Sequence, residues 1–225
     1  MKKSIIKLIF VISVLLLVFF FLDKKEIFFI CKVENNSNEP NLKKQTLVFA
    51  SNLIHPNVGN FICYKNQNGR FGDFTRIHRL CGIEGNIIEI RKGTLFIDGE
   101  NIDDAINLKH FYKLTEKEYF EIKRERKQDI SFITKTGKNK DTIVLLLDDN
   151  FAQIKNLSDR RWRIKSDEDN SILSGLISID INNFGPIEVP KNKYFVLGDN
   201  RDVAEDSRYV GFIDKKDVSG TVLFK

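Results

Sequence analysis

The sequence predicts a mainly β protein with an inserted α+β subdomain, preceded by one N-terminal transmembrane helix. Three observations predict it. An apolar run opens the chain. Short strand-like runs parted by turn signals fill the first half and return at the C-terminal end. Between residues 104 and 185 the character changes. The division that follows is 1–25 for a cytoplasmic tip and anchor, 26–103 with 186–225 for a β domain, and 104–185 for the insertion.

Residues Ser4 to Leu22 read SIIKLIFVISVLLLVFFFL, with Lys7 the one charge. A spanning helix needs about 17–25 residues, so the run is near the minimum. Lys7 sits close to one end, from where its ammonium reaches the interface. A cleaved leader would need a small-x-small site after the run, and Phe-Phe-Phe-Leu-Asp-Lys-Lys-Glu has no small residue. An uncleaved anchor is therefore expected. Lys2, Lys3, Lys7 and the terminal amine outweigh Lys24 and Lys25, which puts the N-terminus inside and the bulk of the chain outside the cytoplasm.

Residues 26–33 (EIFFICKV) and 45–50 (QTLVFA) read as strands on either side of the turn ENNSNEPNL, residues 34–42. Further strands are expected at 60–65, 75–81, 86–91 and 94–97. Lys92-Gly93 and Asp98-Gly99 supply hairpin turns. In the insertion, 113–127 is expected to be an amphipathic helix with Thr115 as N-cap and Glu118 three residues on. Leu114, Tyr119, Phe120 and Ile122 would form its apolar side, and 142–147 (TIVLLL) reads as a strand. Strand character returns at 193–197, and the terminal SGTVLFK is expected to rejoin the first sheet.

Composition narrows the function. The net charge is +5, from 36 basic and 31 acidic residues mixed along the chain. Without a basic stripe and interleaved aromatics, no nucleic-acid partner is expected. Cys31, Cys63 and Cys81 lack Cys-x-x-Cys spacing and a histidine cluster, so no metal is expected. Buried free thiols are the ordinary reading, with Cys63–Cys81 the one pair weighed for a disulfide.

The sharpest stretch is Gly198-Asp199-Asn200-Arg201-Asp202-Val203-Ala204-Glu205-Asp206-Ser207-Arg208-Tyr209-Val210-Gly211-Phe212. A generic run of charge is most often a solvated turn. This order, however, resembles the late box of type I signal peptidases, Gly-Asp-Asn-Arg-Asp-Asn-Ser-x-Asp-Ser-Arg-Tyr-x-Gly. The resemblance extends to the anchor. It continues at Ser37-Asn38-Glu39-Pro40-Asn41-Leu42, against the family's Ser-Met-x-Pro-Thr-Leu, with departures at Asn38 and Asn41. In His78-Arg79-Leu80-Cys81-Gly82-Ile83-Glu84-Gly85-Asn86, the family's base lysine is replaced by His78, while Arg79, Gly82 and Gly85 agree. Leu95-x-Ile97-Asp98-Gly99 is similar to the family's Leu-x-Ile-Asn-Gly.

The resemblance implies a membrane-anchored serine endopeptidase with Ser37 as nucleophile and His78 as general base. A free lysine titrates near 10.4 and must lose its proton to act, whereas a histidine near 6.5 is mostly neutral at pH 7. The histidine then needs a partner that fixes its tautomer. Asp206 is expected in that role, with Asp199 the alternative; Asp206 pairing with Arg208 or Arg201 is compatible with it. The family's hydroxyl partner of the lysine falls at Ala204. The resemblance puts Asn35, Pro40 and Ser207 among oxyanion and substrate-binding groups, and Arg79, Gly198, Asn200, Arg201 and Arg208 in the frame of the site.

By the same resemblance, the partners are signal peptides of secreted preproteins, with small residues at the first and third positions before the cut, and membrane lipids. No cofactor is implied. The location is the inner (plasma) membrane, single-pass, with the catalytic domain on the extracytoplasmic side. Two rival readings stand beside it: a specialised peptidase with few substrates, and a catalytically inactive anchored peptide-binding protein. His55 and His110 fall in no box and are read as ordinary.

Overall fold

The computed structural model describes residues 5–14, 27–65, 75–125, 133–136, 142–163 and 180–224. Residues 5–14 form a helix, α1, with exposed side chains. Among the described residues no helix is long and apolar enough to cross a membrane. Ser4 and 15–22, the rest of the expected anchor, lie outside the described residues.

The first half is built of short strands: β1 Phe28–Lys32, β2 Leu47–Ser51, β3 Phe61–Lys65, β4 Thr75–Ile83, β5 Ile87–Arg91, β6 Thr94–Ile97 and β7 Glu100–Asn101. The turns between β5 and β6 and between β6 and β7 put both central residues at positive φ: Lys92 and Gly93 at 50° and 78°, Asp98 and Gly99 at 52° and 86°. That geometry matches the twist of the flanking strands. The insertion holds β8 Lys109–Leu114, β9 Ile133–Thr136 and β10 Thr142–Asp148, with α2 Glu116–Glu125 and α3 Asp149–Ile154. The chain ends with β11 Phe184–Glu188, β12 Lys193–Leu197, α4 Ser207–Val210, β13 Ile213–Asp214 and β14 Val218–Phe224.

Among the described residues the strands form three antiparallel sheets. The largest has the order β1-β2-β14-β3-β4-β12-β13. The C-terminal strand thus enters between β2 and β3, as the terminal SGTVLFK suggested. Strands β11-β5-β6-β7 form a second sheet and β8-β10-β9 a third. Val33, Leu42, Val48, Phe61, Cys63 and Ile77 are buried together on one face of the large sheet. Ile62, Tyr64, Leu80 and Val196 cluster as a separate group. Period-2 alternation in β3 and β4 produces this split.

Two expectations for the insertion need correction. The helix starts at Glu116 rather than 113, because Lys113 and Leu114 belong to β8 and pair with Val144 and Ile143. Thr115 still caps it: Glu118 N–H donates to Thr115 Oγ1 at 3.3 Å, and Glu118 Oε2 accepts the Thr115 N–H at 2.8 Å. Phe120 is 50% exposed, while Ile122 is buried with Leu114, Leu145 and Leu157. All three cysteines are free. Cys63 and Cys81 lie in different core clusters, and the thiol beside Cys63 is that of Cys31.

Candidate active site

The loop carrying Ser37 is pinned at both ends. Val33 N–H donates to Thr46 C=O at 2.9 Å and Gln45 N–H to Val33 C=O at 2.8 Å. Leu42, fully buried, drives the loop's far side into the core. Asn38 and Asn41, the departures from the family pattern, both carry structural bonds. Asn38 Nδ2 donates to Ile77 C=O on β4 at 2.6 Å. Asn41 Nδ2 donates to Asn107 C=O at 2.7 Å and to Asp199 Oδ2 at 2.8 Å.

The late box holds the loop from the other side. Asn200 N–H donates to the Ser37 carbonyl at 2.9 Å, and Asn200 Nδ2 to Asn36 C=O at 3.1 Å. Gly198 has to be glycine: a Cβ there would run into the Ser37 carbonyl and Ala204 Cβ. Leu197 pairs with Arg79 in the large sheet, so Gly198 and His78 are each one residue beyond that pair. Ser37 and His78 are thus brought to one region by strands far apart in sequence. No hydrogen bond joins them, since His78 Nε2 has no partner among the described residues.

His78 is buried, and its Nδ1 lies 2.8 Å from Tyr64 Oη. Neither expected carboxylate occupies that place. Asp206 is the N-cap of α4: its oxygens accept from Arg208 N, Nε and Nη2 and from Gly198 N–H, at 2.8–3.2 Å. Asp199 receives a bidentate pair from Arg79 Nε and Nη2 at 2.7 and 2.6 Å. Burial lowers the His78 imidazole from 6.5 to about 4; Arg76 and Arg208 add to the fall and Asp206 and Asp199 oppose it. At neutral pH it is an uncharged imidazole.

The remaining expected groups divide. Asn35 stands beside Ser37, but its Oδ1 accepts the Ser37 N–H at 3.0 Å. Ser207 is buried, and its hydroxyl accepts the Val196 N–H at 2.9 Å, so it braces β12. Pro40 lies half-buried in the loop. Arg201 is buried against Asp103 at 2.7 Å, and Arg208 Nη2 also donates to Arg201 C=O. His110 Nδ1 lies 2.7 Å from Asp149 Oδ1 while its Nε2 has no partner among the described residues, and His55 is exposed in its loop. Among the described residues no group of three or more His, Cys, Asp and Glu side chains could hold a metal.

Sequence reasoning missed Tyr64 and Lys109. Tyr64 meets His78 only through the β3–β4 register, which the residues alone do not fix. Lys109 Nζ pairs with Glu39 of the Ser37 loop at 2.7 Å, and its backbone bonds to Asp199 and Arg201 at 3.0 Å each. Strand β8 of the insertion thereby touches both the nucleophile loop and the late box. Its mixed pattern Lys-His-Phe-Tyr-Lys-Leu, nearly all buried, concealed it as a strand.

A sheet-built site of this kind, with a late acidic box locking a serine loop, belongs to a class of peptide hydrolases defined by a family comparison. The family described as signal peptidase, peptidase S26, matches residues 3–225, and the chain belongs to it. The reaction is that of the family, removal of signal peptides by a serine endopeptidase. Signal peptidase IB of Staphylococcus aureus (strain COL) is 26% identical over 236 residues, covering 100% of this chain and 91% of that protein. Signal peptidase I of Bacillus licheniformis is 60% identical over 42 residues, which span 18% of this chain and 23% of that one. A crystal structure of a signal peptidase I from Enterococcus faecalis V583 is 21% identical, covers 76% of this chain and 98% of its own, and superposes with a TM-score of 0.36, too low to carry an argument.

Proposed function

We propose that Ser37 and His78 perform the cleavage. The observation that carries this reading is that the Ser37 loop is locked against Gly198, one step along β12 from the pair beside His78, whose buried imidazole has an unpartnered Nε2 among the described residues. Ser37 Oγ attacks the scissile carbonyl carbon while its proton passes to His78 Nε2. The oxyanion collapses, the C–N bond breaks, and His78 gives the proton to the leaving amine. Water then attacks the acyl ester, His78 takes its proton, and Ser37 Oγ leaves with it. Asn35 serves the oxyanion: a half-turn of its amide frees the Ser37 N–H and presents Nδ2 as a second donor.

The substrate lies extended along the β domain, by β-augmentation, with small residues at the first and third positions before the cut. The apolar N-terminal run anchors the chain with its N-terminus in the cytoplasm. An apolar face supports this location. Phe28, Ile30, Leu47 and Phe224 are exposed on neighbouring strands, and Phe49 stacks between Phe28 and Phe224 with centroids 5.8 and 5.9 Å apart. This face meets bilayer lipid beside the anchor.

The test is cleavage of a peptide bearing an Ala-x-Ala site by the purified full chain. Ser37→Ala should abolish it, and unchanged cleavage by that variant would refute the nucleophile assignment.

A further inference from the structure

We infer that the Tyr64 hydroxyl, in place of a carboxylate, is the positioning group of the His78 base, holding the proton on Nδ1 and leaving the Nε2 lone pair for the Ser37 proton. The inference rests on the Ser37–His78 reading above.

Register brings the pair together. Ile62 lies opposite His78 and Tyr64 opposite Arg76, so Tyr64 and His78 are diagonal neighbours on one face of the β3–β4 pair. Tyr64 Oη and His78 Nδ1 are 2.8 Å apart, with ring centroids 5.9 Å apart. Tyr64 is fully buried and His78 is 2% exposed, so water cannot substitute for the contact.

The groups around the imidazole leave no other candidate. From the late box, Asp206 is engaged by Arg208 and Gly198, and Asp199 by Arg79 and Asn41. On β4, Arg76 pairs with Glu205 at 2.8 Å. Ala204 has no hydroxyl, and the Ser207 oxygen accepts the Val196 N–H and makes no bond to the ring. Charges of both signs thus face the ring and are themselves paired. Tyr64 is the one hydrogen-bond partner of the ring among the described residues.

A phenol suits this place. Burial pushes Tyr64 above its ordinary range, so it remains a neutral O–H at any working pH. Its oxygen has the lone pairs to accept the Nδ1–H without adding a negative charge, so in the inferred tautomer the resting ring stays neutral. The alternative orientation, with the phenol donating to Nδ1, would put the proton on Nε2 and leave no base.

The experiment uses the full chain in detergent, with 15N-labelled histidine. His78→Gln assigns the His78 signals among the three histidines. The expected result at neutral pH is a protonated Nδ1 and an unprotonated Nε2; the reverse tautomer overturns the inference. Kinetics give a second readout. Tyr64→Phe should lower kcat with KM little changed, by up to the ~10⁴-fold lost when the orienting partner of a serine–histidine site is replaced. Its rising limb in kcat/KM should move to lower pH, because the imidazolium loses an acceptor. A limb moving up toward 6.5 would mean that water had entered a loosened core, and the positioning role would be lost. Unchanged kcat and limb in Tyr64→Phe, with His78→Gln inactive, would overturn the role of Tyr64 alone. Activity retained by His78→Gln would overturn the base assignment beneath it. Should Tyr64→Phe fail to fold, the wild-type tautomer decides.

Discussion

His78 differs from a solvated imidazole in one decisive respect: burial favours its neutral form, so the resting ring is uncharged at neutral pH. Residue identity alone would put the rising limb of the pH profile near 6–7. With burial lowering the group to about 4, that limb is expected below pH 6 in kcat/KM. A limb above 8 would point to a lysine base. His78→Gln should reduce kcat by about 10⁶-fold, the scale of losing the histidine from a serine–histidine site. Asn35→Ala should cost about 10²-fold in kcat if its amide serves the oxyanion, and steady-state kinetics at saturating peptide would read it. Ser37 and His78 stood out as candidates in the sequence because they sit in ordered boxes. Tyr64 did not, since its relation to His78 exists only across paired strands. That neither Asp206 nor Asp199 meets the ring was out of reach too: the Asp206–Arg208 pair was weighed in the sequence, but the Arg79 that engages Asp199 is delivered only by the fold.

At the scale of elements, the Ser37 loop depends on one apolar side chain and the late box on paired charges. Leu42→Ala should destabilise the protein by about 2–5 kcal/mol, seen in urea unfolding, and should lower activity through a slack loop. Asp199→Asn leaves Arg79 half-paired, where the two side chains are 1% and 13% exposed. Removing one partner of a buried pair costs about 3–5 kcal/mol, so a comparable loss is expected. The insertion belongs to the same support. Strand β8 bonds to residues 199–202, with Phe111 N–H donating to Asp202 Oδ2 at 2.8 Å. Strands and hairpin turns in the first half were readable from alternation and the Lys-Gly and Asp-Gly pairs. Strand β8 was not, because burial on both faces erases the period of two, and the helix was extended backwards into it.

For the molecule as a whole, the buried imidazole ties stability to acidity. The His78 group is depressed in the folded state, from 6.5 to about 4. Its contribution is therefore fully present above pH 6.5 and is lost as pH falls through the window down to about 4. The loss is on the order of 3 kcal/mol, at 1.36 kcal/mol per unit. Thermal unfolding between pH 7 and 4 should show this slope in the wild type and not in His78→Gln. Glu118, held down to about 2 chiefly by Arg160, weighs in only below about 4.5 and does not confuse the test.

The residues by themselves determined the mainly β class of fold and the family, and they singled out Ser37 and His78 as candidates for the reacting pair. These are local facts: turn chemistry, alternation and spacing are written within a few residues of each other. The tertiary structure decided which hydroxyl meets the imidazole, where Asp206 and Asp199 direct their charge, and that Asn38 and Asn41 anchor the Ser37 loop rather than mark decay. It also placed β14 between β2 and β3 and β8 against the late box. The physical reason is common to all of these. Hydrogen bonds across sheets and loops, and the burial that shifts a proton, depend on register and packing between segments that lie from 14 to 164 residues apart in the chain.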